Sequence, residues 1–109
     1  MIQLAQALIK RLKRLQAFQD NFRTEITHED GMTVLHMSSK IVDNLCIVIN
    51  DSGKIMLTSI FIKPKYRGKG NGKRIVRSLI NHCTLEVHNP QNAEFWPKFK
   101  DKVKFNSGH

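Results

Sequence analysis

Acidic residues are scarce in this chain. Nine Asp and Glu stand against 18 Lys and Arg in 109 residues, a formal net charge of +9. Like charges lower both encounter rate and affinity, so polyamines, aminoglycosides and other small cations are excluded as preferred ligands. The surplus favours an acidic partner (nucleic acid, a ribonucleoprotein or an acidic protein face) or serves solubility alone. Cysteine is scarce too. Cys46 and Cys83 are too few for a disulfide scaffold and lack metal spacing, which points to a reducing, cytoplasmic compartment. His28, His36, His82, His88 and His109 form no zinc spacing, so no metal site is expected. No apolar run has the length that spans a bilayer. The first apolar residues alternate with bases instead of forming the continuous core of a signal peptide. Repeats, linkers and low-complexity segments are absent, and the length suits one domain, 1–109, with a single core.

What is present reads as a short α+β domain. A helix is predicted over 2–19, with Leu4, Leu8, Leu12 and Leu15 on one face and Lys10, Arg11, Lys13 and Arg14 on the other. Its basic face is solvated, or it meets RNA or a membrane surface. Strands follow over 24–62. The first part is two short strands or one interrupted strand, turning at Glu29-Asp30-Gly31. The second is a hairpin of 43–49 and 54–62 joined by Asn50-Asp51-Ser52-Gly53, residues that tolerate turn geometry. A loop over 63–72, a helix over 72–82 with Ile75, Val76, Leu79 and Ile80 on one face, a strand over 84–88, a helix over 92–99 and an extended piece near 102–105 complete the order. The expected architecture is a mixed, mostly antiparallel sheet with flanking helices.

The richest stretch runs from Leu57 to Arg74, LTSIFIKPKYRGKGNGKR. A β-branched strand leads through Pro64 into glycines at 68, 70 and 72 and then a helix. Basic side chains stand at Lys63, Lys65, Arg67, Lys69, Lys73 and Arg74, with no acid among them. Glycines let backbone N–H groups approach a ligand, and a helix N-terminus adds partial positive charge, which together hold phosphate. The alternative is a solvated basic turn. A Walker loop needs Ser or Thr after Gly-Lys, whereas Gly72-Lys73 precedes Arg74. A dinucleotide fingerprint needs a glycine where Lys73 stands.

Arg67-Gly68-Lys69-Gly70-Asn71-Gly72, after a strand ending Ile60-Phe61-Ile62, resembles the acyl-CoA loop of the GNAT acetyltransferase superfamily. Thr84-Leu85-Glu86-Val87-His88 and then Asn89 to Trp96 extend the resemblance, which covers about half of the chain. It implies an acetyl-CoA-dependent N-acetyltransferase. Gly68, Lys69, Gly70, Asn71, Gly72 and Lys73 would bind the cofactor's diphosphate, with charge from Arg67 and Lys69. Ile60, Phe61 and Ile62 would pair with the pantetheine arm, and Asn89 would lie near the cofactor. Glu86 matches the base of enzymes that acetylate ribosomal-protein N-termini, though its spacing to the following Asn differs; His36 is a second candidate base. Members keep a tyrosine as general acid at a fixed spacing from that Asn. Here the spacing lands on Trp96 from Asn89, or on Phe99 from Asn92, and neither releases a proton. Trp96 packs on the pantetheine, donates an indole N–H bond, or belongs to the core beside Phe95 and Phe99.

Two functions fit. One is acetyl transfer to an amine on a macromolecule: a protein lysine or N-terminus, or an aminoacylated RNA. The other is a catalytically weak or inactive acetyltransferase-like module that binds nucleic acid or a ribonucleoprotein through its basic surface. No motif fixes the oligomeric state, although domains of this superfamily often dimerise.

Overall fold

Binary patterning dictates the layers. In α1 (Ile2–Leu12), Ala5, Leu8 and Leu12 recur at helical spacing and are buried, while the positions between them are mostly polar or basic. The computed structural model describes residues 2–80, 85–88 and 103–106, the last two stretches by their backbone. The predicted helix over 92–99, with Asn89, Trp96 and Cys83, lies outside the described residues.

α1 ends earlier than the predicted 2–19. Lys13 and Arg14 continue its turns through N–H bonds to the carbonyls of Ile9 and Arg11. Leu15 is then extended at ψ 146°, and a 3-10 turn over Gln16–Phe18 buries Ala17 and Phe18. The spacing Leu12, Leu15, Phe18 suits three residues per turn as well as an α-helix, so the apolar pattern outlives the helix.

Strands β1 (Arg23–Glu29) and β2 (Met32–Ser38) are two separate strands joined by Asp30-Gly31. Both turn residues have positive φ, 50° and 74°, the geometry that twists a two-residue hairpin correctly. β3 (Val42–Ile49) and β4 (Ile55–Ile62) form the expected hairpin. Its turn closes on Asn50, whose Oδ1 accepts from the N–H groups of Ser52 and Lys54 at 3.0 and 2.9 Å. α2 (Asn71–Ile80) follows, then β5 (Leu85–His88) and β6 (Val103–Asn106). The sheet order is β1-β2-β3-β4-β5-β6, antiparallel from β1 to β4 and parallel from β4 to β6. The domain is α+β, a mixed sheet with helices.

Both described helices cover one face of the sheet. Ile75, Val76 and Leu79 of α2 join Leu8 and Leu12 of α1 over Leu35, Met37, Leu45, Ile47, Ile49, Ile55 and Leu57 in one core. His36, Asn44, Cys46, Ser59 and Phe61 occupy the alternate positions, half-buried or exposed.

Candidate functional site

The site begins with a fault in β4. Ile47 pairs with Leu57, but Cys46 pairs with Ser59, which leaves Thr58 as an extra residue. This bulge shifts the side-chain phase by one position. Ile55 and Leu57 face the helices before it; Ile60 and Ile62 pack on the same core after it. Thr58 fastens the bulge by donating its hydroxyl to the Cys46 carbonyl at 3.1 Å. Ser59 accepts from Asn44 Nδ2 at 2.7 Å on the opposite face.

At the same point β4 parts from β5. Ile55, Met56 and Leu57 pair with Leu85, Glu86 and Val87. Beyond Leu57, β4 stays with β3 to Ile62, and its other edge has no strand partner among the described residues. A free strand edge offers alternating N–H and C=O groups to an extended ligand. Ile60 and Ile62 are half-buried, and Phe61 is exposed on the other face.

The loop after β4 is built from its own backbone. Pro64 starts a 3-10 turn over Pro64–Tyr66, with Tyr66 N–H to Lys63 O at 2.8 Å and Arg67 N–H to Pro64 O at 3.3 Å. Arg67 reaches back and donates Nε to the Ile62 carbonyl at 2.9 Å, which ties the loop to the end of β4. The ammonium groups of Lys65 and Lys69 lie 5.7 and 6.0 Å from the Tyr66 ring centroid. Gly68 and Gly70 adopt φ 77° and 82°, a region that other L-residues rarely enter.

α2 starts at Asn71, so Gly72 and Lys73 lie in its first turn and not in the loop. The Asn71 side chain is buried and donates Nδ2 to the Tyr66 carbonyl at 3.4 Å. Arg74 donates Nη1 to the Lys69 carbonyl at 3.3 Å. The backbone N–H groups from Gly68 to Lys73 find no acceptor among the described residues. No carboxylate stands between Asp51 and Glu86 to compete for them. Free backbone donors at a helix N-terminus, among bases that meet no carboxylate of the described residues, make an anion cradle.

The other predicted residues lie elsewhere. Glu86 stands opposite Met56 in the parallel register, one position from the last paired residues at the parting of β4 and β5. His36 is not at the loop. It borders a shallow groove of about 660 Å³ with Glu25, Asp43 and Asn44, and its Nε2 lies 3.9 Å from Cys46 Sγ. Sequence reasoning missed Thr58, Ser59 and Asn44. Their signal was the three-residue step from Leu57 to Ile60, which breaks strict alternation. Among the described residues no group of His, Cys, Asp and Glu could hold a metal ion, and no helix is long and apolar enough to cross a membrane.

Compared with known proteins, residues 13–96 match the family model described as Acetyltransferase (GNAT) family. No curated protein and no solved structure matches the chain.

Proposed function

The chain belongs to the GNAT acetyltransferase family, and from that premise we propose that it is an acetyl-CoA-dependent N-acetyltransferase acting on an amine carried by a macromolecule. The observation that carries the reading is the set of unsatisfied amides from Gly68 to Lys73 beside a β4 edge that opens at Thr58. These groups fit the cofactor in order. The amides suit its diphosphate, with charge from Arg67 and Lys69. The edge from Thr58 to Ile62 suits the amide-bearing pantetheine arm.

Acetyl-CoA, when bound, supplies an acetyl group activated as a thioester. The chain's own residues must then do two things. A backbone N–H on the open β4 edge offers a donor to a developing oxyanion. Glu86, at the parting of β4 and β5, accepts the proton of the incoming amine, which is mostly protonated at neutral pH. At the spacing where the resemblance implies a tyrosine acid, the sequence has Trp96 counted from Asn89 or Phe99 counted from Asn92, and neither side chain can release a proton. The sole tyrosine, Tyr66, sits at the phosphate end of the site. That favours, as a second reading, a weak or inactive module that keeps acetyl-CoA binding.

The acceptor follows from charge. At +9 the chain repels small polycations. A lysine or N-terminus on an acidic or nucleic-acid-coated protein, or an aminoacylated RNA, brings its own negative surface. The test is an acetylation panel at two ionic strengths, setting free polyamines and aminoglycosides against proteins and charged RNAs. Macromolecular acceptors should be acetylated preferentially and lose that advantage with salt. Efficient, salt-insensitive acetylation of spermidine would sink the acceptor assignment. Tight acetyl-CoA binding with no turnover on any acceptor would select the second reading.

A further inference from the structure

The cofactor loop accounts for only part of the positive charge. Lys10, Arg11, Lys13 and Arg14 lie on another element, and all four are exposed. We propose that the outer face of the two-helix layer, these four residues with Arg77 of α2, is a docking surface for the phosphate backbone of a nucleic acid. The inference does not depend on acetyl transfer.

The first support is segregation of charge. α1 and α2 contain no acid, and they pack against each other over the same core. The first acid in the sequence is Asp20, and none falls between Asp51 and Glu86. Every acid of the residues up to 80 therefore lies in the segment from Asp20 to Asp51, on and around β1 to β3. Among the described residues the helical layer is left with bases alone. A surface meant only for solubility mixes both signs.

The second support is that these cations have no internal task. Among the described residues none of Lys10, Arg11, Lys13, Arg14 and Arg77 has a carboxylate or other acceptor in reach. Bases at a helix C-terminus can offset the exposed carbonyls there. Here Gln19 takes part of that role, donating Nε2 to the carbonyls of Lys13 and Leu15 at 3.0 and 3.1 Å.

The third support discriminates among polyanions. A helix that lies in a membrane surface must offer its apolar face to lipid. The apolar face of α1 is spent on the core, where Ala5, Leu8 and Leu12 are at most 3% exposed. A protein partner is usually held by apolar or aromatic anchors at the centre of the contact. The exposed large hydrophobics of the described residues are Ile2, Met32 and Phe61, and only Ile2, at the far end of α1, belongs to this layer. Cations without an apolar centre, three of the five arginines, suit phosphates, which guanidinium groups bind in a two-pronged fashion.

The experiment uses the full chain and fluorescence anisotropy with a labelled RNA hairpin and a labelled DNA duplex. Acetyl-CoA affinity is measured by calorimetry in parallel. If all five cations engage phosphates, raising salt from about 50 to about 200 mM should weaken binding about 500-fold, from a log–log slope of about −4.5. The K10Q/R11Q/K13Q/R14Q variant should lose most of the affinity and salt dependence while binding acetyl-CoA as the parent does. Arg77→Gln, a single exposed change, should reduce the slope by about 0.9 and guards against misfolding of the fourfold variant. The proposal is overturned if both variants bind nucleic acid like the parent. It is equally overturned if acetyl-CoA competes the nucleic acid away, which would put the contact on the loop, or if anionic phosphatidylserine vesicles bind as tightly and with the same dependence on these residues. Failure of acetyl-CoA binding alone would count against the enzymatic reading and leave this surface standing.

Discussion

Gly70 and Gly72 are two residues apart, yet they are glycines for different reasons, and substituting each by a larger residue separates those reasons. Gly70 sits at φ 82°. An alanine there is held in a left-handed conformation at a cost of about 1 kcal/mol. Its Cβ would meet the Arg74 guanidinium at 3.6 Å, an ordinary contact, so sterics add little. For a domain of this size Gly70→Ala should lower Tm by about 4 °C. It should also tilt the neighbouring amides. Losing one charge-assisted hydrogen bond to phosphate costs about 1.5–3 kcal/mol, or about 10- to 150-fold in acetyl-CoA affinity. Gly72 lies in the first turn of α2 and is not among the positive-φ residues. A helix-forming residue there should leave Tm unchanged or raise it, since glycine is about 1 kcal/mol worse than alanine within a helix. Gly72→Leu should nonetheless weaken acetyl-CoA by covering the amides. Thermal melts by circular dichroism and calorimetric titration on the same samples give both numbers. A Gly72→Leu protein that melts normally and binds acetyl-CoA like the parent would refute the amide cradle as the phosphate site.

Two further outcomes are expected. Glu86→Gln should lower turnover by about 10²-fold or more with acetyl-CoA affinity unchanged; full turnover in steady-state assays would move the proton to His36 or a water chain. Ser39 is buried, donates its hydroxyl to the Ala17 carbonyl and accepts from the Ile41 and Val42 N–H groups at 3.2 and 3.0 Å. Ser39→Ala leaves these groups unpaired and should cost about 2–3 kcal/mol in urea unfolding; a loss below about 0.5 kcal/mol would show that the β2–β3 turn is held by other contacts.

Local chemistry made much of this fold legible. Asn50 to Gly53 announced their turn because an Asx side chain and a glycine solve the same backbone problem wherever they occur. The strand, loop and helix from Ile55 to Ile80 were legible because period, proline and glycines agree. Element ends were harder. Nothing in Leu12 to Phe18 punctuates the chain, and the stop comes from tertiary packing of Ala17 and Phe18. The burial of the Asn71 side chain against the Tyr66 carbonyl was not legible, because no local pattern names that partner. The parting of β4 from β5 depends on pairing across the sheet, which a single strand's sequence does not encode. Glu86 could be named from its motif and Met56 could not be named as its neighbour.

The extra residue at Thr58 makes β4 a strand with two reading frames. One frame serves Ile55 and Leu57, the other Ile60 and Ile62, and both frames must deliver apolar side chains to the same core. Deleting Thr58 would leave Ser59 opposite Cys46 and Ile60 opposite Leu45, a regular ladder at this point with Ile60 and Ile62 still on the core face. Inserting a residue adds one more step to the phase and would turn Ile60 and Ile62 away from the core. The core therefore tolerates no further residue here, while the extra one it does accommodate marks the point where β4 leaves β5. In a library of variants, this segment should lose a residue far more readily than gain one.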